Sequence, residues 1–484
     1  MNQRKKPPLV IDLDGTLIRN DLTQELALKV VATNPANAPQ VLMGALRSKA
    51  DIKDYLNARV GESVAVEHLP FRDEVTSLAK SYSDDGHEVY VCSGSHDEIV
   101  QRLVDSFDWI DGGWGTRDGL NLISSNKTQH LVEQFPDGFH YVGNSTADYA
   151  VWEAAAKGYA VDPPRSVEKV RSAGGDPVEV IASDSLSFRG VLKMMRVHQW
   201  AKNGLMFVVP FLVFAQLTLR DVVNVGLGFL AFSLLASATY ILNDMVDIDN
   251  DRQHATKRNR MLASGRMSLA QATLLMGGLG VASLMIAAFL PQAFWVVMAV
   301  YLVVTLLYSF RVKRIAIADV LTLAGLFTLR VYAGATLVAV AVSPWLLNFI
   351  AIFFLNLALV KRYTELRKKP ALITADGTPA ATLSGRGYMK SDEPIVLSLG
   401  VSMAALALLS FFLYGVLAPN RAIEAGLAIG VIAAILIYWT MRVWLLAHRG
   451  QMNDDPVLFA LKDRLSVALG VVVFLVIIAD RLIW

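Results

Sequence analysis

The sequence predicts two fold classes in one chain: an N-terminal Rossmann-like α/β domain with a small helical cap, then a C-terminal all-α membrane domain of nine transmembrane helices. Three observations predict this. The chain is 54% hydrophobic and only 18% charged, below the roughly 25% charged of soluble globular proteins. The bias is uneven, because nearly all long apolar runs follow Phe188. In "LVIDLDGTLI" the first apolar strand leads directly into two acids, and α/β folds place their ligands at the carboxyl ends of strands.

Domain bounds follow as 1–165 for the α/β domain, 166–190 for a linker and 191–484 for the membrane domain. The formal net charge of +2 says little about partners, and no nucleic-acid partner is expected. The single cysteine, Cys92, rules out an internal disulfide framework and fits a reducing compartment. The start, "MNQRKKPPLVIDLDG", leads from basic residues into a strand and turn, not into the apolar region of a signal peptide.

In the first half, chemistry-bearing residues recur at strand ends. Asp12 and Asp14 follow the first strand, and "EVYVCSGS" is a second strand ending at Ser93, with Cys92 in the core. Lys127 lies in "ISSNKTQHL", and "HYVGNSTADYAVWEAA" is a third strand leading to Asn144 and Asp148. Residues 20–80 read as a mostly helical insert. The D-x-D-G-T sequence and the order of the pieces resemble the haloacid dehalogenase superfamily of phosphohydrolases over residues 7–165. The resemblance implies Asp12 as nucleophile, Asp14 as acid and base, Ser93 and Lys127 as phosphate ligands, and Mg²⁺ held with Asp148. Asn144 stands where that family usually has an acid, so metal affinity should be lower.

The second half carries apolar segments near 203–219, 222–242, 268–290, 291–308, 316–338, 343–360, 394–417, 423–446 and 464–483. A span needs about 20 predominantly apolar residues. Loops after the even-numbered segments hold nearly all the loop Lys and Arg; those on the other side hold Arg220 and Arg421. The positive-inside rule makes the basic loops cytoplasmic. The expected location is a bacterial-type cytoplasmic membrane, with the first half in the cytoplasm and Trp484 outside. "VLKMMRVHQW" reads as an amphipathic helix lying on the cytoplasmic interface.

At the cytoplasmic end of the second segment stands N-D-M-V-D-I-D-N-D, residues 243–251. Helical spacing puts Asp244, Asp247 and Asp251 on one face with Asn243 at its edge, and Asp249 opposite. Such a face suits Mg²⁺, which prefers hard oxygen ligands and shares its shell with substrate phosphates. Lys257, Arg258 and Arg260 either neutralise a departing diphosphate or serve the positive-inside signal alone. The N-D-x-x-D-x-x-x-D pattern in such a membrane domain resembles the UbiA superfamily of prenyltransferases, over residues 190–484. Tyr308, Arg311, Lys313 and Asp319 match its second motif, but Leu323 stands where quinone-type members usually carry a further acid.

"RVHQWAKN", with Lys202, and "LNLALVKRYTELRKK", with Lys361 and Arg362, resemble the polyprenyl-phosphate phosphoribosyltransferase branch. That resemblance implies phosphoribosyl pyrophosphate as donor and polyprenyl phosphate as acceptor. Lys202, Arg258, Tyr308, Lys313, Asp319, Lys361 and Arg362 would bind substrate beside Asn243; Lys361 and Arg362 are otherwise helix anchors. The expected whole is a Mg²⁺-dependent transferase with a tethered phosphatase. The alternatives are an aromatic prenyltransferase with an unrelated phosphatase-like domain, and a transporter. Polyprenyl length and self-association stay open.

Overall fold

The computed structural model describes residues 6–47, 49–117, 121–182, 187–254, 256–368, 387–417, 426–452 and 455–483. Arg421, Trp484, part of the 166–190 segment and the end of "KRYTELRKK" lie outside them. By their internal contacts the residues form two compact units: Met1–Met194 with Ile241–Leu275, and Met195–Tyr240 with Met276–Trp484. The helix Leu219–Val246 passes from one to the other.

In the first unit six strands make one sheet: β1 (Leu9–Ile11), β2 (Val89–His96), β3 (Gly112–Thr116), β4 (His140–Gly143), β5 (Lys157–Val161) and β6 (Glu179–Ala182). Their order is β3-β2-β1-β4-β5-β6, and every pairing is parallel. Parallel sheets are covered on both faces, so their strands are apolar throughout. β1 shows this: Leu9 and Ile11 join one buried cluster and Val10 the other, as strand alternation requires. Cys92 is fully buried in the second cluster, and burial pushes its thiol up to about 12. It is a packing residue.

The strand order reverses between β1 and β4, which opens a crevice at their carboxyl ends. Asp12 follows β1 there, and Asn144 follows β4. Between β1 and β2 the insert is helical, with helices Leu22–Thr33, Ala38–Arg47 and Lys49–Val60 before Asp73–Asp84. One departure from the sequence reading is β6. Residues 179–182, expected in the linker, pair with β5 and extend the sheet.

Among the described residues seven helices are long and apolar enough to cross a membrane: Leu219–Val246, Leu269–Ala287, Gln292–Phe310, Ala318–Leu337, Pro344–Lys368, Lys390–Leu417 and Gly426–His448. The protein is a multi-pass membrane protein. The expectation of nine differs at both ends. Residues 197–216, which take in most of the first expected segment, 203–219, are 3₁₀ turns around a short helix, Val208–Leu212. Pro210 lacks an N–H and Gly204 is a poor helix former, so a continuous helix is disfavoured there. The last segment is a 20-residue apolar helix, Arg464–Ile483, and is not among the seven. Pro291 separates the third and fourth segments, as its sequence position suggests.

The 3₁₀ segment Val197–Phe207 packs flush on the helix Ala318–Leu337. A Cβ added to Gly334 would stand 1.9 Å from the Met206 carbonyl oxygen, so only glycine fits.

Candidate active sites

In the first unit, a cavity of about 500 Å³ is lined by Asp12, Asp14, Lys127, Asn144 and Asp148, all expected together from sequence. Lys127 Nζ donates to Asp12 Oδ1 at 2.6 Å, and Thr16 Oγ1 donates to Oδ2 at 3.1 Å. Lys127 also reaches Tyr141 Oη at 3.1 Å, and that hydroxyl donates to Asp148 Oδ1 at 2.7 Å. Asp148 Oδ2 accepts from the Asn144 and Ser145 amides and from Ser145 Oγ, all within 3.1 Å. Asp148 is therefore fixed by the turn that carries Asn144.

Asp14 accepts from Leu22 N at 2.8 Å through Oδ1, and through Oδ2 from Ser95 Oγ at 2.6 Å and Ser93 Oγ at 3.2 Å. Ser93, expected as a phosphate ligand, is fully buried and faces Asp14. Sequence reading missed three groups here: Ser95, Tyr141 and Lys53. Ser95 shares the face of Ser93 by strand alternation, so that signal was present. Lys53, from the insert, lines the cavity and donates to Asn121 Oδ1 at 2.7 Å. No local pattern announces it.

Burial pushes the Asp12 carboxyl up to about 7, against the pull of Lys127, and Asp14 up to about 6. Burial by itself would lower Lys127, but Asp12 and Asp148 outweigh it and hold the ammonium above its usual range. Buried carboxylates of this kind call for a further cation. Among the described residues no three His, Cys, Asp or Glu stand together as a complete metal cluster. Two acids with an amide oxygen at Asn144 still fit Mg²⁺, which takes one or two carboxylates and completes its shell with water and phosphate.

The acidic stretch of the same unit is helical to Val246 and again over Ile248–Arg252. Arg260 Nη1 donates to Asp244 Oδ1 at 3.0 Å and Asp251 Oδ2 at 2.6 Å, so these two acids share one cation. Asp247 Oδ2 accepts from Asn243 Nδ2 at 3.0 Å. Asp249 goes elsewhere, to Lys29 at 2.6 Å. Arg258 is exposed on the 3₁₀ turn Lys257–Asn259. The cation that Arg260 places between Asp244 and Asp251 marks a position suited to positive charge, so this face too fits Mg²⁺.

In the second unit, Lys202 pairs with Asp455, a partner that sequence reading missed. Arg362 is fully buried: its Nε donates to Asp319 Oδ2 at 2.6 Å and its Nη1 to Glu365. Tyr388 Oη donates to the other oxygen of Asp319 at 2.7 Å. Asp319 and Arg362 thus join one buried network. Lys361 is half-buried on the same helix, Lys313 is buried on the turn Val312–Arg314, and Tyr308 is half-buried near the end of Gln292–Phe310.

Sequence reading also missed Arg330, a buried arginine inside the helix Ala318–Leu337. It donates to Asn203 Oδ1 at 2.8 Å and to the Leu326 carbonyl at 2.6 Å, and lies 5.1 Å from the Tyr301 ring centroid. A charge within an apolar span was the available signal.

The uncharacterized protein y4nM of Sinorhizobium fredii is 36% identical over 479 residues, 97% of this chain and 90% of that one. A decaprenyl-phosphate phosphoribosyltransferase of Mycolicibacterium smegmatis is 34% identical over 211 residues, 43% of this chain and 64% of that protein. A UbiA homolog from Archaeoglobus fulgidus, solved bound to GPP and Mg²⁺, aligns over 60% of this chain and 98% of its own, with TM-score 0.46 and 18% identity. Weaker still is the likeness to a phospho-aspartyl intermediate analogue of phosphoserine phosphatase, at TM-score 0.27 and 17% identity over 39% of this chain and 99% of that one. The family model for UbiA prenyltransferases matches residues 204–462, more than half of the sequence, and the chain belongs to that family.

Proposed function

We propose that the membrane half transfers 5-phosphoribose from phosphoribosyl pyrophosphate to a polyprenyl phosphate such as decaprenyl phosphate. The N-terminal half then removes the 5-phosphate of the product, as a step toward an arabinose donor for envelope glycans. Similarity to the decaprenyl-phosphate phosphoribosyltransferases supports this over part of the chain. The observation that carries it is the state of the second motif. Leu323 replaces its further acid, and Asp319 is committed to Arg362 and Tyr388. A second acidic metal site, as an aromatic prenyltransferase of the quinone type would use, is not supported.

In this reading Asn243, Asp244, Asp247 and Asp251 would hold Mg²⁺, which when bound would supply positive charge to offset that of a departing diphosphate. Lys202, Arg258, Tyr308, Lys313 and Lys361 bind the phosphates of donor and acceptor, and Arg362 with Asp319 holds the helix that presents Lys361. An acceptor phosphate oxygen attacks C1 of the ribose as the C1–diphosphate bond breaks. In the N-terminal half, an Asp12 oxygen attacks the 5-phosphorus and Asp14 protonates the leaving ribose oxygen. Asp14 then takes a proton from water, which attacks the aspartyl-phosphate and frees inorganic phosphate. Lys127 steadies the phosphoryl charge. The basic loops and the N-terminal half lie in the cytoplasm.

The test is incubation of purified protein with decaprenyl phosphate, ribose-labelled phosphoribosyl pyrophosphate and Mg²⁺. Lipid-extractable label that loses its 5-phosphate is the expected result. Transfer of a prenyl group to an aromatic acceptor, with no labelled lipid, would instead establish the aromatic reading.

A further inference from the structure

Beside the Asp12 cavity lies a second one, of about 290 Å³, and both are lined by Asp14 and Asn144. Its other lining includes three guanidinium groups, Arg19, Arg72 and Arg266. Arg72 is buried and paired with Asp162, and Arg19 stands 3.7 Å from Glu74. Arg266 comes from the segment that follows the acidic stretch, 247 positions after Arg19 in number and beside it in space.

That segment is held firmly. Gly265, at φ +69°, passes so close to Arg19 that an added Cβ would meet the Arg19 Cβ at 2.3 Å. Asn20 Nδ2 donates to the Leu262 carbonyl at 3.4 Å, and Leu262, Ala263 and Met267 are buried. The carboxylates of the lining are already engaged: Asp14 by Leu22 N and two serine hydroxyls, Asp21 by Gln24 N, Asp162 by Arg72. Burial lowers the Arg19 pKa, and the neighbouring Arg72 and, less strongly, Arg266 add to this against the opposing pull of Glu74 and Asp162. Crowded guanidiniums are relieved by an anion, and their planar forks suit phosphate oxygens.

We propose that this cavity is a subsite for a second phosphate group of the substrate whose terminal phosphate enters the Asp12 cavity. The ligand class is a sugar carrying two phosphates, either a free bisphosphate or a phosphodiester-linked sugar phosphate. Arg266 is a specificity determinant that the membrane half's own loop contributes to the phosphatase half. The inference rests on reading Asp12 as the phosphatase nucleophile, and it adds which substrate that nucleophile is given.

Binding to full-length Asp12→Asn protein, by calorimetry in detergent, tests the subsite without requiring turnover. Three ligands are compared: ribose 5-phosphate, ribose 1,5-bisphosphate and a short prenylphosphoryl-5-phosphoribose. The bisphosphate should bind at least about ten-fold tighter than the monophosphate, the worth of one charge-assisted contact. Arg266→Ala should erase most of that preference, and Arg266→Lys should recover part of it; Arg266 is exposed, so neither change threatens the fold. Tighter binding of the lipid ligand than of the bisphosphate would identify a phosphodiester as the second group, and the reverse a free bisphosphate. Equal affinity for mono- and bisphosphate, or a preference that survives Arg266→Ala, overturns the subsite. If the preference holds while wild-type protein hydrolyses none of the three, the subsite stands and the nucleophile reading fails.

Discussion

Arg252 donates to both carboxylate oxygens of Glu25, from Nη1 at 2.8 Å and from Nη2 at 2.5 Å, although 227 positions separate them. Their side chains are 5% and 9% exposed. Asn20 donates to the same carboxylate at 2.8 Å, and Arg252 Nε to the Ala263 carbonyl at 3.2 Å. The helix Ile248–Arg252, which carries Asp251, is thereby fastened to the first helix of the insert. Removing one partner leaves a buried unpaired charge, at a cost of about 3–5 kcal/mol. Glu25→Ala should therefore raise amide exchange and proteolysis across residues 248–268. The exchanged pair, Glu25→Arg with Arg252→Glu, should restore part of the protection. Unchanged exchange in Glu25→Ala would show that the bridge does not hold this segment.

The titration of Asp12 sets a pH dependence. Its folded pKa, about 7, lies well above the usual carboxylate value of 3.8, so the folded state keeps its proton where the unfolded chain has lost it. Stability from this group is therefore fully present below about pH 4 and lost as pH rises to about 7. Without divalent cation, thermal stability of wild-type protein should fall across that window, while Asp12→Asn, which carries no such proton, should show a flatter profile. Mg²⁺ at pH 7.5 should stabilise wild-type protein more than Asp12→Asn. In the enzymatic assay Asp12→Asn should still form labelled lipid, now retaining its 5-phosphate.

Asn144 supplies an amide where a carboxylate would bring a full charge, and its Nδ2 occupies the space beside Gly15 that a Cβ would fill. Asn144→Asp is nearly isosteric, so the packing should survive. The Mg²⁺ concentration for half-maximal phosphatase activity should fall several-fold, in line with about 1 kcal/mol or more from one added charge near a cation. A titration of initial rate against Mg²⁺ measures it; no change would place position 144 outside the metal shell.

Asp247 and Asp249 are two positions apart with different partners, Asn243 for one and Lys29 for the other. Asp247→Ala should abolish transfer of labelled ribose to lipid, and Asp249→Ala should leave it within about a factor of five, as befits a half-exposed ion pair worth about 1 kcal/mol or less. Arg260→Gln removes the cation that spans Asp244 and Asp251, so Mg²⁺ should bind more tightly to that variant. Equal loss of transfer from both aspartate substitutions would refute the single-face reading.

Arg362 and Lys361 are neighbours whose substitutions should fail differently. Arg362→Ala takes the shared buried guanidinium away from Asp319 and Glu365, a loss of about 3–5 kcal/mol. It should appear as lower yield and early aggregation in detergent. Lys361→Ala should keep the fold and raise KM for donor or acceptor, each lost charge-assisted contact costing roughly 1.5–3 kcal/mol. Unchanged kinetics in Lys361→Ala would make that residue a helix anchor.

Local pattern was enough for what depends on neighbours in the chain. The D-x-D-G-T run after an apolar strand placed Asp12 and Asp14 at a strand end, because burial and alternation are written along the strand itself. The apolar runs located the seven helices long enough to span, six of them within about four residues at each end and Pro344–Lys368 running eight residues past its expected end, since a helix in lipid must be apolar for its full length. The same logic overreached at 203–219, where composition is apolar but Pro210 and Gly204 interrupt the backbone. Partnership across the chain needed the tertiary structure. Nothing near Glu25 announces Arg252, and nothing near Arg19 announces Arg266, because their partners are fixed by folding and not by spacing. Ser93 and Arg362 make the same point in reverse: each has the right type for a phosphate ligand, yet three-dimensional packing turns one toward Asp14 and closes the other between Asp319 and Glu365. Sequence sets which groups a segment can offer. Which of them remain available to a ligand is decided by the desolvation and pairing that only the folded chain imposes.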